Sequence, residues 1–377
     1  MTVIFCILVS SLLAYGDCSP PRSPFDWNSD LINVHQAVTY LNSIKGRTWT
    51  AGPNGFGKYL SMSQQKHRMG SFTAEINMNG PSVNEIPIAP ETRTSDTNKN
   101  KEENHVYSYD DLPDNYDARK MYPHCTTIST IQDQSLCGCC WAACTAAAFS
   151  DRLCIHSKGM INVNISINHL MTCAKTERLH GCHGGWEEEA WKFIKENGVV
   201  SGGQYGTFDG CQPFLIKPCS QKYHMPCDDV DAALTPICRK NKCSNEWHEP
   251  EGKLYKAKYT WMMSGNATNP NNEYDIRREI YRNGPVTAAF KVYPPFSFYK
   301  SGIFNVDLKD WEEPRNGHAV RIVGWGVENK IPYWLIANSW GKEWGESGLF
   351  RMLRGSNYCQ IESFINSGIP DIPQDIN

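Results

Sequence analysis

Eight residues, Gln134-Ser135-Leu136-Cys137-Gly138-Cys139-Cys140-Trp141, lead into an Ala-rich stretch. That stretch predicts a helix over Trp141–Leu153 and puts a cysteine at its N-terminus. Unpaired backbone N–H groups and the positive end of the helix dipole there favour thiolate over thiol. Farther on, His318 lies in Gly317-His318-Ala319 at the mouth of a predicted strand. Asn338 lies in Asn338-Ser339-Trp340, just past another. A thiolate beside an imidazolium, with an amide holding the ring, is a nucleophile–base–orienter set for acyl transfer. Each residue alone has a plainer reading: His318 as a packing residue, Asn338 as a turn, Gln134 as a solvated loop residue. A zinc reading of Cys137-Gly138-Cys139-Cys140 lacks a second C-x2-C pair of comparable spacing.

The elements that must position these residues are legible from periodicity. Leu31, Val34, Val38 and Leu41 repeat at helical spacing and predict a helix over Asp30–Leu41. Glu187–Asn197 carries Glu187, Glu188 and Glu189 in its first turn and stops at Gly198. Tyr274–Asn283 stops at Gly284-Pro285. Residues Ala319–Trp325, Tyr333–Ala337 and Gly348–Leu353 read as strands joined by Gly- or Asn-containing turns. Helices first and strands later predict an α+β fold, with a helical half over 112–250 and a sheet half over 251–377.

Composition sets the compartment. The 377 residues carry a formal charge of −3 and sixteen cysteines. The near-neutral charge gives no footprint for nucleic acid. So many cysteines without zinc-type spacing predict an oxidising compartment. Thirteen of them fall between Cys125 and Cys243. The apolar run Val3–Tyr15 is too short to span a bilayer and fits a signal peptide over 1–16. Asn164-Ile-Ser166 and Asn266-Ala-Thr268 are then glycosylation acceptors. Residues 89–111 are polar and charged, and predict a flexible, protease-accessible linker closing a segment over 17–111.

Several blocks in the same order resemble papain-family cysteine proteases, and among them the cathepsin B group. They are Leu112–Arg119 (LPDNYDAR), Cys182-His183-Gly184-Gly185, Ser201–Tyr205, Tyr299–Gly302, Gly324–Asn329 and Tyr333–Trp340. Trp49-Thr50-Ala51-Gly52 is similar to the propeptide of these enzymes. The resemblance implies a two-domain papain-like fold with a cleft between the halves. It implies a zymogen whose 17–111 segment inhibits the mature domain over 112–377. Substrates would be proteins and peptides, cystatin-type proteins would inhibit, and no cofactor or metal is needed. By position, Cys140 is the nucleophile, His318 the base and Asn338 its orienter, with Trp340 shielding their hydrogen bond. Cys139 is the competing nucleophile, disfavoured by its register against Trp141 and Gln134. Gln134 and the Cys140 backbone N–H would hold the oxyanion. Gly184 and Gly185 would offer a backbone edge to an extended substrate. A paired thiolate of this kind has a pKa of ~3–4, which implies activity in acidic surroundings.

The same resemblance implies the bridges Cys125–Cys154, Cys137–Cys182, Cys173–Cys238, Cys211–Cys243 and Cys219–Cys227, and leaves Cys139, Cys144 and Cys359 unpaired. His318 and Asn338 follow Cys140 by 178 and 198 residues, more than the family's usual separation. The Cys-rich insertion Cys211–Cys243 accounts for most of the excess. Other departures bear on function. The loop that carries two adjacent histidines in cathepsin B is shorter here, with Gln221 and Lys222 in their places and His224 nearby. Endopeptidase activity with weak dipeptide removal is expected. Phe364 replaces an acid at the floor of the S2 pocket, which implies apolar or aromatic P2 residues. Ser135 stands where a glycine is usual, at a position that favours positive φ. A catalytically impaired, secreted binding protein is the alternative reading.

Overall fold

The computed structural model describes residues 26, 27, 29, 31–54, 59–71, 112–218, 233–244, 250–263, 272–308, 311 and 316–373. The expected signal peptide over 1–16, the expected linker over 89–111 and the positions of Cys219, Gln221, Lys222, His224 and Cys227 lie outside the described residues. So does Asn266.

An N-terminal segment comprises β1 (Leu31–Asn33), α1 (Val34–Ser43), β2 (Trp49–Ala51), β3 (Tyr59–Ser61) and α2 (Met62–His67). The helix expected from Asp30 starts later. Leu31 is exposed and pairs with Ser61 of β3, and the Asn33 side chain caps α1 by accepting from the Gln36 N–H at 3.0 Å. An Asn in extended backbone satisfies an orphan N–H at a helix start, so the cap wins over the apolar periodicity. Val34, Ala37 and Leu41 form the buried face.

The helical half follows: β4 (Tyr116–Asp117), α3 (Ala118–Met121), α4 (Cys140–His156), α5 (Ile167–Cys173) and α6 (Glu187–Glu196). Helix α4 is buried on all sides from Cys140 to Cys154, which explains its run of small alanines. The remaining elements are β5 (Ala257–Met263), α7 (Asn272–Asn283), β6 (Val286–Val292), β7 (Tyr299–Phe304), β8 (Asn316–Glu328), β9 (Ile331–Ala337), β10 (Leu349–Leu353) and β11 (Phe364–Pro370). They form one sheet in the order β2-β7-β10-β9-β8-β6-β11-β5, with β4 paired to β8. The sheet therefore takes one strand from the N-terminal segment: Trp49 and Thr50 of β2 pair with Gly302 and Ser301 of β7.

Two cores result. One joins the sheet to the N-terminal segment, with Trp49, Phe296, Phe298 and Trp344 in it. The other joins α4, α5 and α6 through Phe149, Leu170 and Trp191. Buried ion pairs link α4 to the sheet half. Arg152 meets Glu279 at 2.9 Å and Asp151 meets Arg321 at 2.6 Å. Arg152 also donates to the carbonyls of Gly284, Pro285 and Gly368. Such a pair loses several kcal/mol when one partner is removed.

Disulfides staple the helical half. Cys125–Cys154, Cys137–Cys182, Cys173–Cys238 and Cys211–Cys243 are bridged, joining the same partners as the resemblance implies. Cys139, Cys140, Cys144 and Cys359 are free and buried.

Candidate active site

Cys140 is the first residue of α4, and Cys139 takes the cap position just before it. The Cys137–Cys182 bridge and the Gly138 N–H bond to the Cys182 carbonyl, at 2.8 Å, anchor this helix start. Cys140 clusters with Cys144, one turn along α4, and with Ala319 of β8. The two halves of the molecule thus meet at the thiol. Cys139 points into the core of the helical half instead, and burial drives its thiol well up.

His318 sits on β8, opposite Phe290 of β6. Its Nε2 lies 2.8 Å from Asn338 Oδ1. That same oxygen accepts the Ser339 backbone N–H at 2.8 Å. A backbone N–H only donates, so the atom facing it is the amide oxygen. His318 Nε2 must then carry the proton, which leaves Nδ1 as the basic nitrogen. Nδ1 is buried and has no hydrogen-bond partner. The Trp340 ring lies 4.8 Å from the imidazole, at 33°, and screens the pair from water.

Gln134 is tied to the same turn. Its N–H donates to the Ser339 carbonyl at 2.9 Å, and its Oε1 accepts from Ser339 Oγ at 2.5 Å. The carboxamide N–H2 is thereby aimed at the cleft. It donates to the Cys137 carbonyl at 2.7 Å and to the Arg68 carbonyl at 3.0 Å. The Arg68 carbonyl thus fills one of the two acceptor positions in front of this carboxamide. Ser135 does adopt a left-handed backbone, φ 55°, held by its N–H on Asp133 Oδ1 at 2.9 Å.

Residues 68–71 run through the site. The Gly70 N–H donates to Cys140 Sγ at 3.2 Å, the Gly70 carbonyl accepts from Gly185 N–H at 2.7 Å, and the Ser71 N–H reaches the Gly317 carbonyl. Ser71 bridges Gly185 and Gly317, one on each wall of the cleft. A Cβ on Gly70 would lie 1.9 Å from the Gly138 carbonyl oxygen, so only glycine passes here. Gly185 is equally confined: a Cβ would meet the Trp141 ring at 2.7 Å. Gly184 before it has φ 107°. The thiol therefore faces an N–H rather than an electrophilic carbon.

The electrostatics are those of a resting site. Burial pushes the Cys140 thiol up to about 12 and the His318 imidazole down to about 4. The low-pKa thiolate expected from the helix N-terminus is not the state found. With residues 68–71 sealing the cleft, desolvation of both charged forms outweighs the helix dipole, and thiol and imidazole are both neutral.

Phe364 opens β11 and is buried. It pairs with Ala289 of β6, which pairs with Ala319 of β8. Directly paired residues present their side chains on one face, so Phe364, Ala289 and Ala319 line the same side as Cys140 and Cys144. Asn164 is half-buried, and the hydroxyl of its neighbour Ser166 is committed to capping α5 through His169 N–H. Among the described residues, one group has metal-ligand geometry, His124 with Cys125 and Cys154. Its sulfurs are consumed by a disulfide.

Sequence reasoning missed residues 68–71 as the plug of the site; Gly70 in Met69-Gly70-Ser71 was the available trace. It also took Glu187 for an ordinary first-turn acid, whereas the side chain is buried at the cleft.

The family model described as papain family cysteine protease matches residues 112–369. The chain belongs to the papain family. Among curated relatives, cathepsin B-like cysteine proteinase 1 of Haemonchus contortus is 45% identical over 268 residues, covering 69% of this chain and 74% of that protein. Cathepsin B-like cysteine proteinase 3 of Caenorhabditis elegans is 41% identical over 258 residues, 68% of this chain and 66% of the relative. The solved structure of procathepsin B S9 from Trypanosoma congolense superposes with a TM-score of 0.69 at 30% identity, covering 90% of this chain and 98% of that one. A procathepsin L2 proteinase from Tenebrio molitor larval midgut, 23% identical with a TM-score of 0.59, shares the fold. This papain-family protein is thus a cathepsin B-like cysteine protease with the papain-like α+β fold.

Proposed function

We propose that the chain is a secreted or lysosomal zymogen of a cysteine endopeptidase, with Cys140, His318 and Asn338 as its catalytic residues. The observation that carries this reading is the seating of residues 68–71. The Arg68 carbonyl lies on the Gln134 amide, Gly70 on the Cys140 thiol and the Gly70 carbonyl on Gly185. A segment that satisfies oxyanion donor, nucleophile and backbone edge at once is supported as a pro-segment. Its proposed boundaries are 17–111, with the cut near Val106–Asp111 at the end of the polar linker.

Once the pro-segment leaves, water re-enters and the ion pair becomes affordable. The Cys140 proton passes to His318 Nδ1, and the thiolate adds to the substrate carbonyl carbon. The oxyanion takes the donor site that the Arg68 carbonyl held on Gln134, together with the Cys140 N–H; one such donor is worth ~2.7–4 kcal/mol of barrier in a serine protease. His318 protonates the leaving amine as the C–N bond breaks. Water then hydrolyses the thioester, losing its proton to His318. Gly184 and Gly185 hydrogen-bond the extended substrate.

Weak dipeptide removal is supported by Gln221 and Lys222 standing where a histidine pair would bind a terminal carboxylate. Protein substrates, inhibition by the chain's own pro-segment and by cystatin-type proteins, and export belong to the same reading.

The test is labelling of the processed protein with a thiol-reactive peptidyl inhibitor, followed by mass spectrometry of a digested peptide. Labelling at Cys140, lost in Cys140→Ala, with internal cuts is expected. Absence of labelling in folded, processed protein refutes the enzyme reading. A ladder of C-terminal dipeptide losses refutes the endopeptidase restriction.

A further inference from the structure

Three consecutive glutamates open α6, and they are not alike. Glu188 and Glu189 face Arg178 across 3.7 and 3.9 Å at the surface. Glu187 turns inward and is 2% exposed. Its Oε1 has no hydrogen-bond partner, and no cation pairs with it among the described residues. A buried carboxylate with one oxygen left unpaired is costly, and a fold keeps one chiefly where something else will meet it.

What surrounds it is the cleft. Glu187 follows the Gly184–Gly185 edge by two residues, so the edge that would align a substrate backbone also places this side chain. Its charge acts on both Cys140 and Cys144. Those thiols share one small-residue cluster with Ala319, and Ala319 lies in the cross-strand row that ends in Phe364. Cys144, Ala319 and Ala289 are small, buried side chains between α4 and the sheet. In the zymogen this subsite is capped by Ser71, the pro-segment residue bridging Gly185 and Gly317. The Ser71 hydroxyl is near enough to favour the charged carboxyl, yet neither Ser71 Oγ nor Glu187 Oε1 completes a hydrogen bond. The pro-segment covers the acid without neutralising it.

We propose that Glu187 is a specificity-determining residue of the proposed peptidase. Its carboxylate lines the subsite that Ser71 caps and selects an Arg or Lys side chain of the substrate there. Phe364 and the small residues contact the aliphatic stem of that side chain, and Glu187 receives its charged head. The apolar end alone implies apolar P2 residues; the carboxylate adds the basic ones. The inference rests on the endopeptidase reading.

The test uses the processed enzyme and two fluorogenic peptides that differ only at P2, Arg or Phe. The ratio of kcat/KM for the Arg peptide to that for the Phe peptide is expected to fall at least tenfold in Glu187→Gln. An unchanged ratio overturns the proposal. A second measurement needs no variant: raising salt to about 0.5 M screens a charge–charge contact. With wild-type enzyme it should lower kcat/KM for the Arg peptide more than for the Phe peptide. Equal response of both overturns the proposal. Protein that cleaves neither peptide and is not labelled at Cys140 refutes the peptidase reading, and this inference with it. Labelled enzyme whose ratio is insensitive to both perturbations refutes the role of Glu187 alone.

Discussion

Glu187 also makes a prediction about the zymogen that is independent of any substrate. Burial raises its carboxyl from 4.5 to about 7 in the folded chain, opposed by its own backbone N–H and then by the Ser71 hydroxyl. For a group raised on folding, the stabilisation is fully present below the unfolded value, here 4.5. It is lost as pH climbs through the folded value, about 7. At about pH 8 the charged carboxylate is held in a buried site with no cation to pair it among the described residues, and the linkage corresponds to about 3 kcal/mol less stability than at pH 4.5. Glutamine has the same shape and does not titrate. The assay is urea unfolding of the full-length zymogen carrying Cys140→Ala, which prevents self-processing, with and without Glu187→Gln. Comparing the two proteins at pH 4.5 and at about pH 8 cancels whatever the amide itself gains or loses. The variant should gain about 2–3 kcal/mol on its parent between the two pH values. A constant offset at both would mean that Glu187 finds a partner or water in the folded zymogen, and the argument from its burial would fail.

Two further outcomes follow from backbone geometry. Gly70→Ala places a methyl group against the Gly138 carbonyl, where a Cβ would come within 1.9 Å. Overpacking of this kind costs ~1–3 kcal/mol, so the pro-segment should lift from Cys140 and thiol labelling of the full-length chain should quicken at least about tenfold. Labelling as slow as in wild type would show that the pro-segment does not seal the site through Gly70. Ser135→Gly relieves a non-glycine residue at φ 55°. Left-handed backbone costs an L-residue ~1–2 kcal/mol, partly offset by the greater freedom of unfolded glycine, so a gain of up to about 1 kcal/mol in the unfolding free energy is expected from urea unfolding. A loss would mean that the Asp133–Ser135 hydrogen bond depends on the serine side chain.

The parts legible in the sequence are those set by local chemistry. The Ala-rich α4, the strand runs of β8 and β9 and the glycine stops of α6 and α7 all announce themselves within a window of a dozen residues. The candidate catalytic residues stood out because Cys140 opens α4, His318 lies two residues into β8 and Asn338 directly follows β9. What stayed hidden depends on contacts between residues far apart in the chain. The start of α1 was misplaced because the Asn33 cap and the β1–β3 pairing compete with apolar periodicity, and periodicity alone cannot weigh them. The neutral resting pair was hidden because the helix dipole is a local property of α4, whereas the desolvation that overrides it comes from a segment seventy residues upstream. Glu187 is a different case, because a local pattern already pointed to its burial. Three acids at a helix start are the pattern that the dipole favours in solvent, and Glu188 and Glu189 obey it. Within α6, Glu187 differs from them by lying three, four and seven residues before Ala190, Trp191 and Ile194, on the buried face of the helix. That face buries the side chain beside Ser71 of the upstream segment, where one carboxylate oxygen is left without a hydrogen-bond partner.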